Sequence, residues 1–353
     1  MADAGTNSSS ALQGYRVAAE LHHRLLTGMI LSLVLRAGED TAAEAVYRLF
    51  RRQHREKFLP GLKLLGLDRL PDAVASAQYH YLSNAIGTVK VEYVKETDQK
   101  AWVRYPPPRW VFDGTAICGI PDAVTIAMMR GWHAQNGEAL DNPRLGFVCT
   151  GMTTAGDPGL EGYFQEFDQP LAPEERLRFT QSEHAPAFDP ATAPKVDAAS
   201  WPEERLAKAE RNYSTYYVRS LLCVLPDLLG DAEMGRIAGH AARLVGMQCY
   251  DWTREAFDLG DNAPGAFAEC MRRFGNAMGD EARCRHEGGD ILIEQSGWSV
   301  MRGVDNPPPV LFDVWNELWI GACAAHDRNL SLTVTDRMDR GDPVWRWRLS
   351  KST

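Results

Sequence analysis

"RYPPPRWVFD" (104–113) and "DNPPPVLFD" (305–313) each place three prolines ahead of Phe-Asp. Three prolines fix φ and remove three backbone donors, so each run is a stiff, extended entry into the element that follows. Working outward from the pair, further matches fall in the same order. "NAIG" (84–87) answers "NAMG" (276–279), and "LGLDRLP" (65–71) answers "LGDNAP" (259–264). "RAGEDTAAEAVYRLF" (36–50) answers "LLGDAEMGRIAGHAARLV" (228–245), both a turn followed by an amphipathic helix. "LGFVCTGMTTAGDP" (145–158) answers "LSLTVTDRMDRGDP" (330–343). Five ordered anchors indicate two tandem repeats of one design. They are a first copy at 12–170, a Pro/Ala-rich linker at 171–205 and a second copy at 206–351.

Within each copy helices precede strands. Apolar residues at helical spacing predict helices over 15–36, 40–57 and 71–87, then a hairpin from "TVKVEYVKET" and "AWVRY". A helix over about 120–137 and a closing hairpin around "AGDPG" complete the copy. The second copy predicts helices at 208–228, 231–248, 264–278 and 311–326. Its strands are "ARCRHEG", "DILIEQSG", "WSVMRG", "NLSLTVTDRM" and "VWRWRLS". The fold class is α+β, with a helical layer on an antiparallel sheet in each repeat.

Composition narrows the function. The 353 residues are 44% hydrophobic, enough for a real core, and 38 basic against 47 acidic residues give a net charge of −9. That charge disfavours nucleic acid and anionic membranes as partners and leaves a small molecule as the natural one. A homo-oligomer is compatible with the same composition. The longest apolar run, "MILSLVL" (29–35), is too short to span a bilayer. "MADAGTNSSS" has neither a basic segment nor an apolar core and reads as a disordered leader, with a cytoplasmic location expected. Seven scattered cysteines without a CxxC pair read as reduced thiols. No metal and no cofactor are expected, because no metal-ligand, dinucleotide or phosphate-loop motif appears.

The closing pattern of the second copy carries a resemblance. Leu311-Phe312, Asn329, Leu330, Leu332, Val334, Arg337, Gly341-Asp342 and the run Trp345 to Leu349 form it, answered by Asn142-Pro143, Leu145, Phe147, Gly156-Asp157 and Tyr163-Phe164. This pattern resembles the L-2-amino-thiazoline-4-carboxylic acid hydrolase family and the related 4-vinyl-reductase-type ligand-binding domain. The resemblance implies a helical layer over a sheet with a small-ligand pocket between them. It further implies cofactor-independent hydrolysis of a small nitrogen-containing ring, or non-catalytic binding of a small molecule in a duplicated pocket. Members of the family have a cysteine near the end of the last strand, where Trp345 and Trp347 stand here.

Candidate chemistry concentrates in the first copy. Cys118, in "FDGTAICGIPDA", precedes a helix whose first turn holds Pro121 and Asp122. A helix N-terminus favours a thiolate, so Cys118 reads as a nucleophile, or else as a small buried residue. His133, late on the same helix, is a general base or a dipole-complementing histidine, and Asp122 is a carboxylate able to shuttle a proton. His80 between two tyrosines and Trp132 beside His133 would contact substrate, as would Arg109 and Trp110 after the prolines. Asp113, Asp313, Asp157 and Asp342 recur in both copies and read as structural turn carboxylates.

Overall fold

The computed structural model describes residues 3–108, 112–260 and 263–352. The fold is α+β: ten α-helices and nine strands among the described residues, the strands gathered into two sheets. The chain forms two compact units. A central unit spans Leu33–Leu206, and a flanking unit joins Met1–Ser32 to Ala207–Thr353.

In the central unit, α2 (Glu39–Leu64) starts after Gly38, whose φ of 90° breaks it from α1 (Asp3–Ala37). Glu39 and Asp40 in its first turn complement the helix dipole. Its buried stripe runs through Val46, Phe50, His54 and Phe58, one residue per turn. Helix α3 (Asp72–Ile86) buries Ser76 and His80 among apolar residues. Strands β1 (Glu92–Lys95) and β2 (Lys100–Tyr105) form a hairpin. Helix α4 (Asp122–Gly131) and a short α5 (Asn136–Ala139) precede β3 (Leu145–Gly151) and β4 (Leu160–Glu166). The sheet order is β1-β2-β4-β3-β5, with β5 (Leu177–Phe179) parallel to β3. Strand alternation puts Trp102, Val148 and Tyr163 together on one face. Phe147 pairs with Phe164, and Ala101 with Phe164, so Tyr105 shares the opposite face with them.

In the flanking unit, α6 (Glu203–Leu229) is followed by α7 (Asp231–Met234), a single π-turn at Gly235–Gly239, and α8 (His240–Ala256). Then come α9 (Pro264–Met278), β6 (Arg283–Glu287), β7 (Asp290–Gln295), α10 (Pro309–His326), β8 (Leu330–Asp336) and β9 (Trp345–Lys351). The order is β6-β7-β9-β8, antiparallel throughout. On β9, Trp345, Trp347 and Leu349 are buried. The alternating Arg346 and Arg348 reach Glu294, Asp336, Asp290 and Glu287 instead.

The two sheets share several local features. Both sheets read hairpin, helix, hairpin with the same strand order, apart from the extra edge strand β5. Both closing hairpins carry an irregularity, at Cys149/Gly151 and at Val334/Asp336. Both turns use a left-handed glycine, Gly156 (φ 95°) and Gly341 (φ 91°). Asp157 accepts a hydrogen bond from Met152 N (2.8 Å), and Asp342 one from Arg337 N (2.7 Å).

Several expectations differ from the structure. The first helix, placed in a copy at 12–170, packs up to Ser32 in the flanking unit. There His22 Nδ1 meets Thr215 Oγ1 at 3.1 Å and Tyr15 lies under Arg211. The leader is helical from Asp3. The stretch 171–205 supplies β5, because Leu177–Phe179 continue the sheet beside β3. "WSVMRG" is not a strand: Ser299–Met301 form a 3-10 turn, held by Ser299 N donating to the buried Asp280 carboxylate (2.7 Å). Asp313 lies inside α10 and pairs with Arg337 rather than capping a turn. The helix over 120–137 ends at Gly131. Trp132 is distorted from ideal helical angles (φ −117°, ψ −71°), a 3-10 turn covers His133–Gln135, and α5 follows. Among the described residues, no helix is long and apolar enough to cross a membrane.

Candidate functional site

The break after Gly131 builds the site. Gly131 lets α4 approach α2 closely, since a Cβ there would fall 2.7 Å from the Tyr47 carbonyl oxygen. The chain then turns, and Trp132, His133 and Asn136 all become buried. From α2 comes His54, from α3 His80, and from β2 Tyr105. Three histidines, a phenol, an indole and an amide thus meet in the interior of the central unit, where water cannot compensate them.

The contacts are specific. His80 and His133 stack with ring centroids 4.3 Å apart, and Phe164 lies parallel beside both. The Tyr105 hydroxyl lies 2.8 Å from His80 Nδ1 and 3.5 Å from His133 Nε2, so one phenol bridges two imidazoles. Trp132 stacks on Tyr79 and meets His80 and His54 edge-on. On the other side, Arg51 Nη1 lies 3.2 Å from His54 Nδ1, and His54 Nε2 lies 3.1 Å from Asn136 Oδ1. Burial, then the Arg51 guanidinium, push His54 down to about 3, against the hydrogen bond to Asn136. Burial, then His133 and His54, hold His80 well below the usual imidazole value. Both rings are therefore neutral at physiological pH.

Part of this cluster has no partner. Asn136 Nδ2, Trp132 Nε1 and His80 Nε2 are all buried without a hydrogen bond. A buried donor or acceptor left unmade costs about 1–3 kcal/mol. This concentration of uncompensated groups marks a place where a polar molecule would be stabilised.

Of the residues singled out in the sequence, His80, His133 and Trp132 come together here. Cys118 does not: it is exposed, on a 3-10 helix (Gly114–Gly119) with no buried residue. It also stands four residues before Asp122, outside the first turn of α4. Asp122 opens α4, with one carboxylate oxygen buried and unpartnered. Arg109 and Trp110 lie outside the described residues. His54, Tyr105 and Asn136 were missed. His54 sits in "RRQHREKF", which reads as a charged surface, yet it continues the apolar row Val46, Phe50 and Phe58. That periodicity was the available signal. Asn136, in "AQNGEA", reads as a turn and carries no such mark. Among the described residues, no group of three or more His, Cys, Asp or Glu is arranged to hold a metal ion.

In comparison with known proteins, no family model, no curated protein and no solved structure matches the chain.

Proposed function

We propose that the central unit is a receptor for a small planar molecule, within a chain built as a tandem duplication of one helix-and-sheet unit. One observation carries the reading: Asn136, Trp132 and His80 each keep a buried nitrogen without a partner where α2, α3 and β2 meet the segment after α4. The flanking unit also buries a polar pair between its helices, Tyr250 with His326 at 2.7 Å, but there His326 Nε2 reaches the Ala263 carbonyl oxygen as well. A group of buried, partly unpaired polar side chains is best explained by a ligand. The aromatic walls of Trp132, Tyr79 and Phe164 suit a flat one. The resemblance to ring-hydrolysing and 4-vinyl-reductase-type ligand-binding domains supports the same location, between helices and sheet.

A hydrolytic reading is favoured by one feature, the Tyr105 hydroxyl between two imidazoles. A neutral imidazole paired with a phenol is able to move a proton to or from a bound ring. In that reading the protein hydrolyses a small nitrogen-containing ring without a cofactor, an activated water attacks, and Cys118 plays no part.

The test is ligand-observed NMR with a library of planar fragments, on the wild type, Tyr105→Phe and His80→Phe. Binding to the wild type that weakens at least tenfold in both variants supports the receptor, whereas unchanged binding in both overturns it. For the hydrolytic reading, turnover retained in Cys118→Ala and lost in Tyr105→Phe is expected. Loss in Cys118→Ala would instead restore the thiolate.

A further inference from the structure

The hydrogen-bonding pattern around His54 fixes more than a location. A guanidinium only donates, so His54 Nδ1, 3.2 Å from Arg51 Nη1, must accept. A neutral imidazole has one proton, which is then on Nε2. That Nε2–H points at Asn136, 3.1 Å away, and it needs an acceptor. The amide must therefore turn its oxygen to His54. The consequence is at the other end of the amide: both Asn136 N–H groups face away from His54. They are buried and unpartnered, in a residue with no exposed surface at all. The Trp132 indole N–H is also a donor only, also buried and also unpartnered. It belongs to the same group, since its ring centroid lies 5.6 Å from that of His54.

We infer that the ligand is a neutral planar molecule presenting hydrogen-bond acceptors on one edge, such as a lactam or amide carbonyl or an azaheterocycle. This rests on the receptor reading above. The unpaired groups beside His54 whose roles are fixed, the Asn136 amide and the Trp132 indole, are donors, so the complement is lone pairs. The charge follows from the surroundings. His54 and His80 are neutral, and among the described residues Arg51, the cation hydrogen-bonded to His54, is already engaged with Glu138 at 2.8 Å. A buried carboxylate would lack a free counter-charge, and a buried ammonium would find donors rather than acceptors. A carbonyl oxygen or ring nitrogen needs neither.

The experiment follows the tryptophan indole N–H signals of the full chain by NMR, with Trp132→Phe identifying the relevant one. Three probes are titrated: N-methyl-2-pyridone (neutral, acceptor only), benzoate and benzylamine. The expected result is a saturable shift of the Trp132 signal with the pyridone, weaker by at least tenfold in Asn136→Leu. Because that variant also removes the partner of His54, its folding is checked by thermal melting. Wild type compared with Trp132→Phe in a pyridone-binding assay gives a second measure, with the same direction of loss expected. If benzoate or benzylamine binds instead, and is lost in His80→Phe, the receptor stands and the neutral-acceptor class is wrong. If no probe moves the Trp132 signal or binds in a His80-dependent way, both fail, and the donors are served by water alone.

Discussion

The helix crossings of the two units, α2 with α4 and α5 and α8 with α10, differ in how closely the helices approach and how fully their buried polar groups are paired. In the flanking unit α8 and α10 touch backbone to backbone. A Cβ on Gly246 would stand 1.9 Å from the Leu318 carbonyl oxygen, and one on Gly321 would stand 2.1 Å from that of Arg243. Helix α10 runs unbroken for 18 residues across this contact. In the central unit, α4 is 10 residues long and stops just after its own close approach at Gly131. Beyond it His54 meets Asn136 through side chains, as Tyr250 meets His326 in the flanking unit. His326 uses both ring nitrogens, whereas the Asn136 amide nitrogen has no partner. The glycine crossing of the flanking unit thus holds a satisfied polar pair, and the interrupted crossing of the central unit holds an unsatisfied one.

The largest expected effect breaks the flanking crossing. Gly246→Ala or Gly321→Ala forces a methyl into backbone carbonyls that cannot rotate away, so each should cost about 3 kcal/mol in chemical denaturation. Losses under about 1 kcal/mol would mean that the helices separate easily, and the contrast with the central unit would be lost.

Acid titration sharpens the contrast next. His54 has a folded value of about 3, far below the ordinary imidazole value, so the unfolded chain binds the extra proton first. The stabilisation is complete above about pH 6.5 and is lost as pH falls from there towards 3. His22, in the flanking unit, is also pushed to about 3, by burial above all and then by His23 and Arg211, and adds to the same window. Urea midpoints measured between pH 7.5 and 4.5 should therefore fall with pH. His54→Leu should flatten that slope at the cost of about 2 kcal/mol at neutral pH, from the stranded Asn136 carbonyl. An unchanged slope would show that His54 is charged or accessible in the fold.

The smallest effect probes the likeness itself. Asp157→Ala and Asp342→Ala each remove one carboxylate-to-backbone hydrogen bond from matched turns. Each should lower stability by about 1–2 kcal/mol, and by similar amounts. Clearly unequal losses would show that the two turns resemble each other in shape without sharing a role.

Much of the architecture was legible from local signals. The proline runs, the glycine-aspartate turns and the alternating strands placed both closing hairpins, because turn chemistry and period-two burial act over a few residues. The helix–sheet class followed from the same patterns. Two kinds of feature were not legible. The end of α4 at Gly131 depends on α2 approaching within a methyl's breadth, and nothing in "MMRGWHAQNGEA" announces that neighbour. The membership of α1 depends likewise on which core its buried face meets.

For the site, the sequence by itself determined which residue types were on hand: His80 between tyrosines, and Trp132 beside His133. It also pointed to Cys118, which the fold leaves on the surface. Only the tertiary structure decided that His54, Tyr105 and Asn136 join the histidines, and that the amide faces its donors away from His54. The physical reason is that helical period and turn propensity are properties of neighbours in the chain. Burial, tautomer and unmet hydrogen bonds are instead set by groups brought from three helices and a strand.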